Sequence, residues 1–176
     1  MLNNIYKSLI ILALLGALNL KANQAGLTKH FTEVSPSKVA PSLKLEDTEE
    51  EIINIEDLKG KVVIVNFWAT WCPPCRKEMG SLERLYSGLK DKGVVVLAVN
   101  VGEDEDPVLS FMNDVEPPLT FNVLYDKDSK TMQKWGAIGL PSTFVVDKKG
   151  DIVYKAIGGR DFDDKNILDK IISLLK

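Results

Sequence analysis

Two apolar runs constrain the fold most. Val62-Val63-Ile64-Val65-Asn66-Phe67-Trp68 and Val94-Val95-Val96-Leu97-Ala98-Val99-Asn100-Val101 are nearly continuous in β-branched and aromatic residues, the pattern of strands covered on both faces. Between them Met79, Leu82, Leu85, Tyr86 and Leu89 recur at helical spacing, with Lys77, Glu83, Arg84 and Lys90 interleaved. Strand, helix and second buried strand make a β-α-β unit with a right-handed crossover, and hence a parallel core. Trp71-Cys72-Pro73-Pro74-Cys75 falls at the first strand-to-helix junction and contains the only two cysteines of the chain.

The flanking sequence adds shorter elements. Pro41 to Leu45 alternates like a strand, Asp47 to Glu51 is an acidic turn, and Ile52 to Ile55 returns as a hairpin partner. After the second run, Glu103-Asp104-Glu105-Asp106 and Pro107 suit the start of a short helix carrying Val108, Leu109, Phe111 and Met112. Pro117-Pro118 ends it, Phe121 to Tyr125 reads as a strand and Ser129 to Trp135 as a helix. Gly139-Leu140-Pro141-Ser142-Thr143 leads into Phe144 to Asp147, then a Lys148 to Asp151 turn and an antiparallel return over Ile152 to Ala156. Ile167, Leu168, Ile171, Ile172 and Leu175 give a last helix its apolar face behind an Asp163 or Asp164 cap.

With 176 residues, 45% of them hydrophobic, the chain suits one globular domain plus accessory sequence. A net charge of -3 offers no electrostatic footprint for nucleic acid or for an anionic membrane surface. Lys7 followed by Ser8 to Leu18 has the basic start and apolar core of a secretory signal, which points to export. Residues 1–22 are read as a signal peptide or membrane anchor, 23–38 as an exposed linker, and 39–176 as the domain. His30, the only histidine, is read as a solvated linker residue.

Three uses of Cys72 and Cys75 compete. Zinc needs about four ligands, and two thiols with one remote histidine do not supply them. A passive disulfide suits an exported protein, but so small a ring constrains an unfolded chain little. The third use is a dithiol-disulfide pair that exchanges electrons with protein thiols. At a helix N-terminus, unpaired N–H groups and the helix dipole favour a thiolate at Cys72. Cys72 is then the exposed attacking sulfur, and Cys75, one turn in, is the shielded resolver of the mixed disulfide. Pro73 and Pro74 fit the first turn, where a missing N–H matters little, and stiffen the loop.

Phe67-Trp68-Ala69-Thr70-Trp71-Cys72-Pro73-Pro74-Cys75, followed by Gly139-Leu140-Pro141-Ser142-Thr143-Phe144, resembles the thioredoxin fold. More narrowly it resembles the exported, often membrane-tethered TlpA/ResA-like thiol-disulfide oxidoreductases (AhpC/TSA-related), including those that serve cytochrome c maturation. The resemblance covers about Pro41 to Lys176 and implies an α/β fold: a central mixed β-sheet flanked by α-helices, an N-terminal β-hairpin, and an inserted helix-strand segment over about Asp106 to Tyr125. It implies a cis Pro141 facing the cysteines, Leu140 beside it tuning substrate fit, and Trp71 as a lid or docking surface.

Asn66 stands where thioredoxin has a buried aspartate, and Glu78, three residues beyond Cys75, matches the acid of the TlpA/ResA-like group. A shielded Glu78 would exchange protons with Cys75. No metal or organic cofactor is implied. The implied partners are protein thiols or disulfides, such as that of apocytochrome c, and a membrane thiol electron donor. The implied location is the periplasm or another extracytoplasmic space. The alternatives are a disulfide-forming oxidant, a peroxiredoxin-type peroxide reductase, and a binding module without redox turnover. A peroxiredoxin uses a different cysteine arrangement, without an adjacent CxxC.

Overall fold

The computed structural model describes residues 31–176. The expected export segment 1–22 and His30 lie outside the described residues. The strands are β1 (Thr32–Val39), β2 (Lys44–Glu46), β3 (Ile52–Asn54), β4 (Val62–Trp68), β5 (Val94–Val101), β6 (Asn122–Asp126), β7 (Ser142–Val146) and β8 (Asp151–Ile157). The helices are α1 (Pro73–Leu89), α2 (Glu105–Asp114), α3 (Lys130–Lys134) and α4 (Lys165–Ser173).

Six strands form one mixed sheet in the order β1-β8-β7-β4-β5-β6. β4, β5 and β6 are parallel, while β7 runs antiparallel to β4 and to β8. Every residue of β4 is buried, as a run without polar alternation requires of a central strand. Its side chains alternate between two cores. Val62, Ile64 and Trp68 join Met79 and Leu82 of α1, while Val63, Val65 and Phe67 join Leu97, Leu124, Trp135 and Phe144 on the opposite face. Asn66 therefore points to the α1 side, the one polar residue in a row of apolar neighbours.

β2 and β3 pair as the expected hairpin, seated by buried Leu43 and Ile55. Its turn meets the outer edge of β6 through an Asp47 to Leu124 bridge, which partly covers an exposed sheet edge. The inserted segment is α2 and β6. α2 begins at Glu105, so Pro107 is its third residue rather than its first.

Residues 32–38, expected as part of the linker, instead belong to β1, which pairs antiparallel with β8 through a bulge between Glu33 and Lys38. Its residues are almost all exposed. A strand held by its backbone ladder at a sheet edge does not need the period-2 burial that marks a strand in sequence.

Candidate active site

α1 starts where β4 ends, and its first turn carries the cysteines. Cys72 is the N-cap, with Pro73 and Pro74 as the first two helical residues. Proline tolerates these positions because their N–H groups have no partner within a helix. The same substitution removes two donors that could have faced a thiolate. The Arg76 N–H is committed to the Cys72 carbonyl at 3.1 Å, so the Cys75 N–H is the first-turn donor left.

Cys72 and Cys75 are joined in a disulfide with Cα atoms 5.3 Å apart. Cys75 is fully buried and Cys72 is 4% exposed. The order of shielding is the expected one, but Cys72 is not the exposed sulfur that the sequence suggested. In the oxidised form it packs into the α1-side core with Trp68 and Ala69. Trp71, beside it, is 68% exposed.

The Leu140–Pro141 peptide is cis. The Pro141 carbonyl accepts the Gly158 N–H at 2.8 Å, which ties this loop to the end of β8. A groove of about 720 Å³ runs beside the disulfide, lined by Pro74, Lys77, Leu140, Ile157, Gly159 and Arg160. Gly159 lies so close to the cysteine loop that a Cβ there would stand 2.9 Å from Pro74 Cβ and 3.1 Å from its carbonyl oxygen.

Glu78 lies on α1 one turn beyond Cys75 and is 1% exposed. Asn66 Nδ2 donates to Glu78 Oε1 at 2.8 Å and to Thr143 Oγ1 at 3.1 Å. The Arg160 backbone N–H donates to Glu78 Oε2 at 3.0 Å. Burial raises the Glu78 carboxyl from 4.5 to about 7, against the hydrogen bonds from Asn66 and Arg160 and the Arg160 charge, which favour the carboxylate. A carboxyl that titrates near neutrality one turn from a buried cysteine can carry a proton in either direction.

Two residues that hold this site were not found from sequence. Glu103, read there only as part of an acidic helix start, accepts the Thr70 N–H at 2.7 Å and the Thr70 hydroxyl. Asn100 donates to it at 2.8 Å. It thereby fastens the loop two residues before Cys72 to the end of β5. Arg160 sits in the loop after β8 with its side chain over the Phe31 ring at 5.5 Å. Neither residue belongs to a local motif, since each meets the cysteine region only through the sheet's topology. Among the described residues no cluster of acids, cysteines or histidines could hold a metal ion.

The AhpC/TSA family model matches residues 36–155. A thiol-disulfide oxidoreductase ResA from Bacillus thuringiensis subsp. konkukian (strain 97-27) is 35% identical over 154 residues, 88% of this chain and 87% of that protein. Among solved structures, one described as the thiol:disulfide interchange protein DsbE from Chlorobium tepidum superposes with TM-score 0.74 at 27% identity, covering 84% of this chain and 100% of the other. A secreted thiol-disulfide isomerase from Corynebacterium glutamicum gives TM-score 0.71 at 28% identity, covering 83% and 90%.

Proposed function

We propose that this chain, which belongs to the AhpC/TSA family and within it to the ResA-type thiol-disulfide oxidoreductases, works as a reductase of protein disulfides outside the cytoplasm. The fold is thioredoxin-like and the activity is thiol-disulfide exchange. The direction, the partners and the residue roles are our reading of the site.

Reduced Cys72, as thiolate, attacks one sulfur of a partner's disulfide. The partner's S–S bond breaks, its other sulfur leaves with the electron pair, and a mixed disulfide forms on Cys72. Cys75 gives its proton to the Glu78 carboxylate and attacks the Cys72 sulfur. The Cys72–Cys75 bond forms and the second partner sulfur leaves as a thiolate, which is then protonated. The partner gains two electrons and the chain loses them. Trp71 and Leu140 border the partner's docking site, and cis Pro141 offers backbone for an extended partner segment.

The observation that carries the reductive direction is the pair of prolines at the first two positions of α1. A disulfide oxidises strongly when its reduced form is stabilised, and here two of the N–H groups that could stabilise a Cys72 thiolate are absent. Ionised Glu78, one turn beyond Cys75 on α1, opposes a thiolate further. A disulfide such as that of an apocytochrome c is the partner class we favour, with a membrane thiol carrier as electron donor. The apolar N-terminal run Ser8 to Leu18 supports export, as does the likeness to a secreted isomerase.

Equilibration of the couple with glutathione or dithiothreitol buffers tests the direction. A potential near that of thioredoxin, about -270 mV, is expected, whereas one near about -120 mV makes the chain an oxidant. Cys75→Ser should accumulate mixed disulfides through Cys72, and recovery of the partners tests the apocytochrome reading.

A further inference from the structure

Thr70 is held at each of its polar groups. Its N–H donates to Glu103 Oε2 at 2.7 Å and its hydroxyl to Glu103 Oε1, while its carbonyl accepts from Arg76 Nη1 at 3.3 Å. Glu103 stands in the loop between β5 and α2, and Gly102 before it takes a left-handed turn, φ 73°, which glycine adopts without steric cost. Arg76 belongs to the start of α1, and its guanidinium lies over the Phe111 ring of α2 at 4.8 Å. Phe111 in turn packs on Trp68, the last residue of β4, at 5.1 Å. The inserted segment therefore grips the loop before the cysteines from both sides.

Asn100 makes the same point from below. It is fully buried and lies opposite Trp68 in the β4-β5 ladder. Its Nδ2 donates to Glu103 Oε2 at 2.8 Å, and its Oδ1 is buried without a hydrogen-bond partner among the described residues. An unpaired buried carbonyl costs free energy, so the bond that steadies Glu103 is made at a cost. Beyond Thr70 comes Trp71, exposed, and then Cys72, whose N–H donates to the Ala69 carbonyl at 3.2 Å. A solvent-exposed indole has little packing to hold it, so its direction is set by the peptide that carries it. The peptide joining Thr70 to Trp71 is the one whose carbonyl Arg76 holds, and Glu103 holds the residue before it.

We propose that Glu103 is a positioning residue for partner docking: its carboxylate fixes the Thr70 turn so that Trp71 stands beside Cys72 as a preformed wall for the partner's disulfide. The inference rests on the reading of Trp71 as part of the docking site. Glu103 touches no reacting atom. A loop that is already ordered spares the partner the cost of ordering it on arrival. The role requires hydrogen-bonding groups at fixed points rather than a charge.

The test compares two disulfides, each mixed with pre-reduced protein and quenched with acid to count the remaining protein thiols. One is a synthetic extended peptide with a single Cys-x-x-Cys disulfide, and the other is bis(2-hydroxyethyl) disulfide, too small to need a wall. Glu103→Ala should lower the second-order rate constant with the peptide about fivefold and leave that with the small disulfide within about twofold. Glu103→Gln should restore most of the peptide rate. Its amide oxygen can accept the Thr70 N–H and its NH2 can donate to the Thr70 hydroxyl oxygen. Thr70→Val, which keeps the backbone bond and loses the hydroxyl, should cost about threefold with the peptide alone.

Trp71→Ala should slow the peptide reaction at least as much as Glu103→Ala does, and adding Glu103→Ala to it should change nothing further. A Trp71→Ala protein as fast as wild type on the peptide would overturn the reading of Trp71 as docking wall, and this inference with it. A slow Trp71→Ala protein alongside unslowed Glu103→Ala overturns the role of Glu103 alone. So does equal slowing on both disulfides, or a Glu103→Gln protein no faster than Glu103→Ala. Where Glu103→Ala does not fold, Thr70→Val decides, and a wild-type rate with the peptide overturns the proposal.

Discussion

At Asn66 an amide meets a carboxyl that titrates near neutrality, and the choice of side chain has a physical reason. An amide carries donors on one side and an acceptor on the other. Its NH2 group suits the Glu78 carboxylate, as seen at 2.8 Å, while its Oδ1, buried without a partner, suits the O–H of protonated Glu78 after a flip. An aspartate there would set two carboxylates against each other, and a leucine would serve neither state. Because burial raises Glu78 from 4.5 to about 7, the folded protein binds a proton that the unfolded chain has released between those values. Stability attributable to protonated Glu78 is therefore complete below about pH 4.5. It declines by about 3 kcal/mol as pH rises to about 7, and is flat above. Glu78→Gln, neutral at every pH, should lose this dependence. Denaturant unfolding of the oxidised protein at pH 4.5 and pH 8 checks this: wild type should weaken relative to the variant at the higher pH, and parallel curves would refute the assignment.

At the scale of elements, the sequence was legible where burial imposes a period. β4, β5 and α1 stand where their apolar patterns put them, since a two-sided strand and a one-faced helix leave different spacings. The cysteine pair was legible because its chemistry is local. Glu103 and Arg160 were not: Glu103 had a sufficient local reading as a helix-start acid, Arg160 belongs to no local pattern, and their partners lie 33 and 82 residues away in sequence. Gly159 is the residue that lets the loop after β8 lie against the cysteine loop, a role that no local pattern announces. Gly159→Ala would drive a methyl into Pro74, onto its ring and its backbone carbonyl in the first turn of α1. We expect a loss of about 1 to 3 kcal/mol from overpacking and slower attack by Cys72, with the pH profile of resolution unchanged. Thermal unfolding measures the first, and the rate at which reduced protein first releases coloured thiolate from 5,5'-dithiobis(2-nitrobenzoate), on attack by Cys72, measures the second.

Taken whole, the molecule closes its site with parts from both ends of the described chain. Phe31 is buried against Tyr154 at 6.2 Å and Phe162 at 6.4 Å, and it roofs Arg160. β1 follows it directly and forms the outer edge of the sheet. The linker reading of residues 32–38 missed this because an edge strand and a linker share the same polar composition, and only the ladder to β8 separates them. Phe31→Ala should cost about 3 kcal/mol in chemical unfolding.

Trp71 gives the molecule an optical property of its own. The chain has three tryptophans; Trp68 and Trp135 are buried, while Trp71 stands in solvent next to the disulfide. A water-soluble quencher such as acrylamide will therefore report almost entirely on one indole, at the point where a partner must dock. Opening and closing of the neighbouring S–S bond will change that indole's emission, and an arriving partner will shield it. Redox state and occupancy can thus be followed as two separate signals from the unlabelled protein.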